Sequence, residues 1–181
     1  MIAADYFRDQ QTLLTERLRL EPLGPEHFDG SWAALQDAET TRLTGTHAEF
    51  TEEQIRGWLA TRADEHDRAD WAIIRRSDGA YLGEVVLSDL DPNNESMGFR
   101  IALAGEGLFG QGYGSEATRA VVDYGLDTVG LHRISLEVVE FNTRARRAYE
   151  KAGFREEGTM RDAWNWDGVR SNVILMAVVA E

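Results

Sequence analysis

Apolar positions along the chain alternate between two periods, and the changes of period mark out the elements. Leu18 and Leu20 alternate with Arg17, Arg19 and Glu21, which predicts a half-buried strand over 16–23 that stops near Pro22. Pro25, tolerated in a first helical turn, then opens a helix carrying Phe28, Trp32, Leu35 and Ala38. Residues 40–50 show no period and read as a loop. Thr51-Glu52-Glu53-Gln54 has the form of a capping box, and the helix it starts carries Ile55, Trp58, Leu59 and Ala63 on one stripe. After Asp70 the period falls to that of strands. Trp71–Ile74 and Tyr81–Leu87 flank the turn Ser77-Asp78-Gly79, and Asp91-Pro92-Asn93-Asn94 turns the chain into Ser96–Leu103.

A helical stripe returns at Ala117, Val121, Val122, Leu126 and Val129. A strand over Arg133–Val139 follows, then a helix over Thr143–Lys151 with Asn142 at its N-cap and Gly153 at its end. Phe154–Met160 and Ser171–Val179 are expected as closing strands, joined by an arm over Arg161–Arg170 rich in tryptophan and turn residues. The order β-α-α-β-β-β-α-β-α-β-β defines an α+β fold: a mixed sheet with helices on both faces. The 181 residues are expected to form a single domain, with 1–14 a poorly ordered leader.

Composition narrows the chemistry. The absence of cysteine excludes disulfides, thiolate metal sites and a cysteine nucleophile. His27, His47, His66 and His132 stand singly, so no metal is expected. A net charge of −13 argues against nucleic acid as a partner. It suits a cationic acceptor such as an amine, or simply a well-solvated surface. The first residues lack a basic region followed by an apolar run, and no window approaches a membrane span, so a cytoplasmic protein is expected.

The most pointed motif is Leu108-Phe109-Gly110-Gln111-Gly112-Tyr113-Gly114-Ser115-Glu116-Ala117, a glycine-rich turn running into a helix. Alternating glycines allow positive φ, so that several N–H groups and a helix N-terminus can converge on one anion. It is not a P-loop, which would end in Gly-Lys-Ser/Thr, and the dinucleotide pattern started at Gly110 places Ser115 where its third glycine belongs. An isolated Gly-x-Gly-x-Gly is equally compatible with an ordinary flexible loop.

Together with Asn142-Thr143-Arg144-Ala145-Arg146-Arg147-Ala148-Tyr149-Glu150-Lys151-Ala152-Gly153-Phe154 and the ending Glu157–Arg161 through Asp167–Arg170, this turn resembles the signatures of the GCN5-related N-acetyltransferase (GNAT) superfamily, within it the RimJ/RimL-like branch. The resemblance spans 16–179. It implies acetyl-CoA as donor and a primary amine as acceptor, a peptide or protein N-terminal α-amine by the branch resemblance. A polyamine or amine-bearing antibiotic is the alternative, and a module that binds acyl-CoA without turnover is a third reading. Dimers are common in the family, so the resemblance is compatible with a homodimer, while the sequence itself leaves a monomer equally open.

The resemblance also implies site residues. Ile101, Ala102 and Leu103 would lie on a strand splayed from its parallel neighbour, with backbone groups for the pantetheine arm and the acetyl oxygen. Oxyanion donors of that kind contribute about 3–4 kcal/mol each. Phe109, Gly110, Gln111, Gly112, Tyr113, Gly114 and Ser115 would take the pyrophosphate, although the family often carries arginine or glutamine where Phe109 stands. Asn142, Ala145 and Arg146 would also contact CoA. Tyr149 would protonate the departing thiolate, and Glu137 or Glu84 would accept the amine proton; a chain of waters could replace both. Trp32, Trp164, Trp166 and Glu84 are the candidate walls of the acceptor pocket.

Overall fold

The structure is a computed structural model describing residues 2–181; Met1 of the expected leader lies outside the described residues. Its centre is a mixed sheet in the order β1-β2-β3-β4-β5-β6-β8-β7. The strands are β1 (Leu13–Leu14), β2 (Leu18–Pro22), β3 (Ala69–Arg75), β4 (Tyr81–Asp91), β5 (Ser96–Leu103), β6 (Arg133–Val139), β7 (Arg155–Trp166) and β8 (Val169–Val179). Every pairing is antiparallel except β5–β6. The helices are α1 (Phe28–Leu35), α2 (Ala38–Thr44), α3 (Glu52–Ala60), α4 (Tyr113–Asp123) and α5 (Thr143–Lys151).

Helices cover both faces because the central strands are apolar on both. On β3, Trp71 and Ile73 enter a large core with Val121 and Val122 of α4 and Tyr149 of α5. The intervening Ala72 and Ile74 face the other way and pack with Phe28 of α1 and Ile55 and Leu59 of α3. The α+β order expected from the sequence is thus observed, with two additions.

The first addition is α2, within a stretch expected to be loop from residue 40. Asp37 caps it, accepting from the Thr40 N–H at 2.7 Å, and Gly45 ends it in the left-handed conformation. The expected helix from Pro25 to Ala38 is therefore two pieces: a 3-10 turn at Pro25–His27 leads into α1, and the helix stops at Leu35. The second addition is β1, in the segment expected to be poorly ordered. Ile2 and Phe7 are buried in the main core, Tyr6–Asp9 forms a 3-10 turn, and β1 pairs with β2. The tryptophan-rich arm is also a correction, because most of it extends β7 and β8 into a longer hairpin through Trp164↔Ser171 and Trp166↔Val169.

The N-terminal segment is tied to the start of α4. Glu116 accepts hydrogen bonds from the Thr15 hydroxyl at 2.6 Å, the Arg17 N–H at 2.9 Å and the Arg17 guanidinium at 2.7 Å. Burial pushes the Glu116 carboxyl up, but these three donors outweigh it and hold the group below its ordinary value of 4.5. A depressed carboxyl stabilises the fold fully above its unfolded pKa and loses that contribution as pH falls through the folded one. Glu116→Gln should therefore lower Tm at pH 7, with the gap to the parent narrowing as pH falls below the ordinary glutamate range and through the depressed folded pKa; a Tm gap that stays the same as the pH is lowered through that range would refute the tie.

Candidate active site

The parallel pair β5–β6 provides the geometry of the site. The two strands are in register only at Ser96↔Arg133, Met97↔Ile134 and Gly98↔Ser135, and then part. Beyond that point β5 continues its ladder with β4 as far as Leu103, and β6 continues with β8 as far as Val139. Each arm of the resulting V is held on its outer side, and each inner edge lacks a strand partner. Phe99 sits at the fork, its ring 6.0 Å from Tyr149 and 5.8 Å from Phe154. At the far end of β5 the buried Thr40 of α2 donates to the Leu103 carbonyl at 3.0 Å.

A cleft of about 580 Å³ runs through the fork. Ile101, Ala102, Leu103, Phe109, Gly110, Gly112, Gly114, Ser115, Asn142, Ala145 and Tyr149, all expected at the donor site, line it together. Gly110 and Gly112 have φ of +74° and +84°, a region that penalises any Cβ. The first helical bond of α4 is Glu116 N–H to the Gly112 carbonyl at 3.0 Å. Among the described residues, the backbone N–H groups from Gly110 to Ser115 have no hydrogen-bond partner. This is a cradle of unpaired donors at a helix N-terminus, suited to a phosphate or pyrophosphate group.

Cations add to it. Arg100, Arg144, Arg147 and Lys151 also line this cleft, against one carboxylate, Glu137, in a chain whose net charge is −13. The Arg144 guanidinium stacks on the Phe109 ring at 3.5 Å, so a cation stands beside position 109 although the residue there is aromatic.

Three of the expected donor-site side chains lie elsewhere. Tyr113 turns into the core beneath the Arg17 guanidinium, 4.6 Å from its ring centroid. The Gln111 side chain donates to the Gly107 carbonyl at 2.6 Å. Arg146 pairs with Glu156 at 3.0 Å rather than entering the cleft.

A second cleft, of about 510 Å³, opens on the α1–α3 face of the sheet and shares Thr40, Thr44, Arg100, Ile101 and Ala102 with the first. Its walls are largely apolar, with Leu35, Phe50, Ile55 and Trp58 among them. Glu84 stands on its floor, where its Oε1 accepts from the Ser31 hydroxyl and the Tyr81 phenol, both at 2.6 Å. Tyr81 can lie against α1 because residue 30 is glycine: a Cβ there would fall 2.3 Å from the tyrosine ring. Burial first, and then the Glu84 carboxylate, push the Tyr81 phenol well above its ordinary value, so it remains a donor.

The two candidate bases therefore occupy different chambers, Glu137 in the first cleft and Glu84 in the second. Trp164 lines the first cleft, and its indole N–H is buried without a partner among the described residues. Trp166 stacks on Trp164 and lies 4.6 Å from His47. Trp32 lines neither chamber and instead stacks on Phe28 in the α1–α3 core. Sequence reasoning missed Ser31, Tyr81, Trp58 and Arg100, none of which belongs to a local motif.

The splayed parallel pair thus has a cradle of unpaired donors beside one cleft and a hydroxyl-bound carboxylate in the other. The sequence pattern of the acetyltransferase (GNAT) domain matches residues 17–155, and the chain belongs to this family of N-acetyltransferases. The uncharacterized N-acetyltransferase p20 of Bacillus licheniformis is 27% identical over 84% of this chain and 86% of its own. Spermidine N(1)-acetyltransferase of Escherichia coli K12 is 27% identical over 62% of this chain and 60% of its own. Among solved structures, spermidine N-acetyltransferase from Vibrio cholerae in complex with CoA and spermine has the same fold. The TM-score is 0.83 at 19% identity, over 91% of this chain and 96% of that one. Among the described residues, no helix is long and apolar enough to cross a membrane.

Proposed function

We propose that the protein transfers the acetyl group of acetyl-CoA to a small primary amine by direct attack of the amine, with the donor in the first cleft and the acceptor in the second. The observation that carries this reading is that the two chambers meet at Arg100, Ile101 and Ala102, on the unpaired edge of β5. Acetyl-CoA supplies an activated thioester. The cradle from Gly110 to Ser115 would hold its pyrophosphate, and the free backbone groups of β5 its pantetheine arm and carbonyl oxygen. Tyr149 would give a proton to the sulfur, and Glu84 would take one from the amine. A small amine, rather than the protein N-terminus implied by the RimJ/RimL-like resemblance, fits a second chamber roofed by three helices. The spermidine acetyltransferases among the relatives support the same choice.

Acetyl-CoA at about 100 times its Kd should stabilise the fold by about 2.7 kcal/mol. For a chain of this size that raises Tm by roughly 5–10 °C. Added amine should then release free thiol. No thermal shift at saturating acetyl-CoA would refute the donor assignment; a shift without thiol release across peptides, polyamines and aminoglycosides would leave a binding module.

A further inference from the structure

Arg100, which lines both clefts, is a charged residue of the acceptor chamber that the proposed transfer does not use. Met97 and Phe99 point into the core on the α4–α5 side, so the alternation of β5 turns Arg100 toward the α1–α3 face. There it shares a row with Asp70 and Val86, through Asp70↔Val86 on β3–β4 and Val86↔Arg100 on β4–β5. Glu84 pairs with Ala102 in the next row, which makes Glu84 and Arg100 diagonal neighbours, with backbones about 7–8 Å apart.

The charges of this chamber are unequally satisfied. Asp70 is buried and already paired: Arg68 holds it through two bonds of 2.7 Å, and Arg62 approaches to 3.6 Å. Glu84 meets two hydroxyls and, among the described residues, no cation within ion-pair distance. Arg100, an exposed residue on the chamber floor, makes no hydrogen bond or ion pair among the described residues. A carboxylate that keeps one oxygen unpartnered and a guanidinium without a partner among the described residues are therefore diagonal neighbours, beneath an apolar roof of Leu35, Phe50, Ile55 and Trp58. A polyamine has no use for the guanidinium and would be repelled by it. A zwitterion satisfies both groups at once, because guanidinium takes carboxylate through paired, charge-assisted bonds.

We propose that the acceptor is an amine carrying a carboxylate beside it, an α-amino acid with an apolar side chain, whose carboxylate is held by Arg100 while its amine faces Glu84. This rests on the acetyl-transfer reading for its chemistry, but the recognition itself is measurable without transfer. Arg100 is then a specificity-determining residue.

The test compares L-leucine, L-leucinamide, isoamylamine and spermidine in two assays: thiol release with acetyl-CoA, and equilibrium binding to the CoA-loaded protein. The wild type should favour leucine over leucinamide and isoamylamine by at least about tenfold in kcat/KM, carried by KM, and show the same order in binding. Arg100→Ala should remove that preference and leave the KM for acetyl-CoA unchanged, while Arg100→Lys retains part of it. Tighter leucine binding that Arg100→Ala abolishes, without thiol release, would uphold the recognition and overturn the transfer reading. Equal binding of all four amines would overturn the inference, as would a preference for spermidine or leucinamide. So would a change confined to the KM for acetyl-CoA, which would make Arg100 a donor contact.

Discussion

Tyr149→Phe is expected to lower kcat by about 10²-fold, the lower end of what a positioned proton donor contributes, with the Kd for acetyl-CoA unchanged. The expectation follows from where α5 places the residue. Asn142 caps the helix by accepting from the Ala145 N–H at 3.2 Å, and Tyr149 lies two turns on, lining the first cleft yet only 7% exposed. Its ring packs edge-on against Phe99 and Phe154, contacts a phenylalanine would keep, so the substitution isolates the hydroxyl. Burial pushes the phenol to about 12, against a smaller opposing effect of Arg144. The sign follows directly: the group is protonated, and able to donate, at every pH well below 12. The rate deficit should therefore be uniform between pH 6 and 10, with no alkaline limb from this residue in the parent profile. Thiol release by the variant within about twofold of the parent would assign the proton to another donor.

What the sequence revealed depended on whether the signal was local. β5, β6 and α5 match their expected bounds because strict alternation, an asparagine cap and a closing glycine each act within a few residues. The glycine-rich turn was readable for the same reason, since positive φ at Gly110 and Gly112 is a property of the turn itself. Helix α2 was hidden by Thr40, Thr41 and Thr44, residues with poor helical propensity. Its actual supports are the Asp37 cap, the Glu39–Arg42 pair and Gly45. Two of these stand in the sequence as a bracket, Asp37 before and Gly45 after.

The leader and the closing arm were misread for a different reason. Ile2 and Phe7 are ordered by a distant core, and turn-forming residues such as Asp162, at a φ of +53°, interrupt β7 without ending it. The second chamber depends most on tertiary packing. Ser31, Tyr81 and Glu84 come together only when α1 lies across β4, and the signal for that contact, Gly30 beneath the Tyr81 ring, has meaning only once the pairing is known.

That same contact separates the two candidate bases and gives the second large prediction. Glu84→Gln should lower kcat/KM by about 10²–10³-fold, whereas Glu137→Gln should stay within about twofold. Glutamine keeps the shape of Glu84, and its amide oxygen can still accept from Ser31 and Tyr81, so loss of rate would report the missing proton acceptor rather than a collapsed pocket. The geometry favours Glu84 because Ser31 and Tyr81 both bind Oε1 and leave Oε2 without a partner among the described residues. A carboxylate fixed in this way presents one free oxygen to an amine arriving beside Ala102, its direct neighbour across the β4–β5 ladder. Glu137 is exposed on β6, among the cations of the first cleft, and makes no side-chain hydrogen bond among the described residues. If Glu137→Gln were the slow variant, the amine would have to approach from the side of the first cleft, and the second chamber would not be the acceptor site. Near-parental rates for both variants would leave a water chain as the proton acceptor. The double variant, by falling no further than Glu84→Gln alone, should show that one carboxylate does the work.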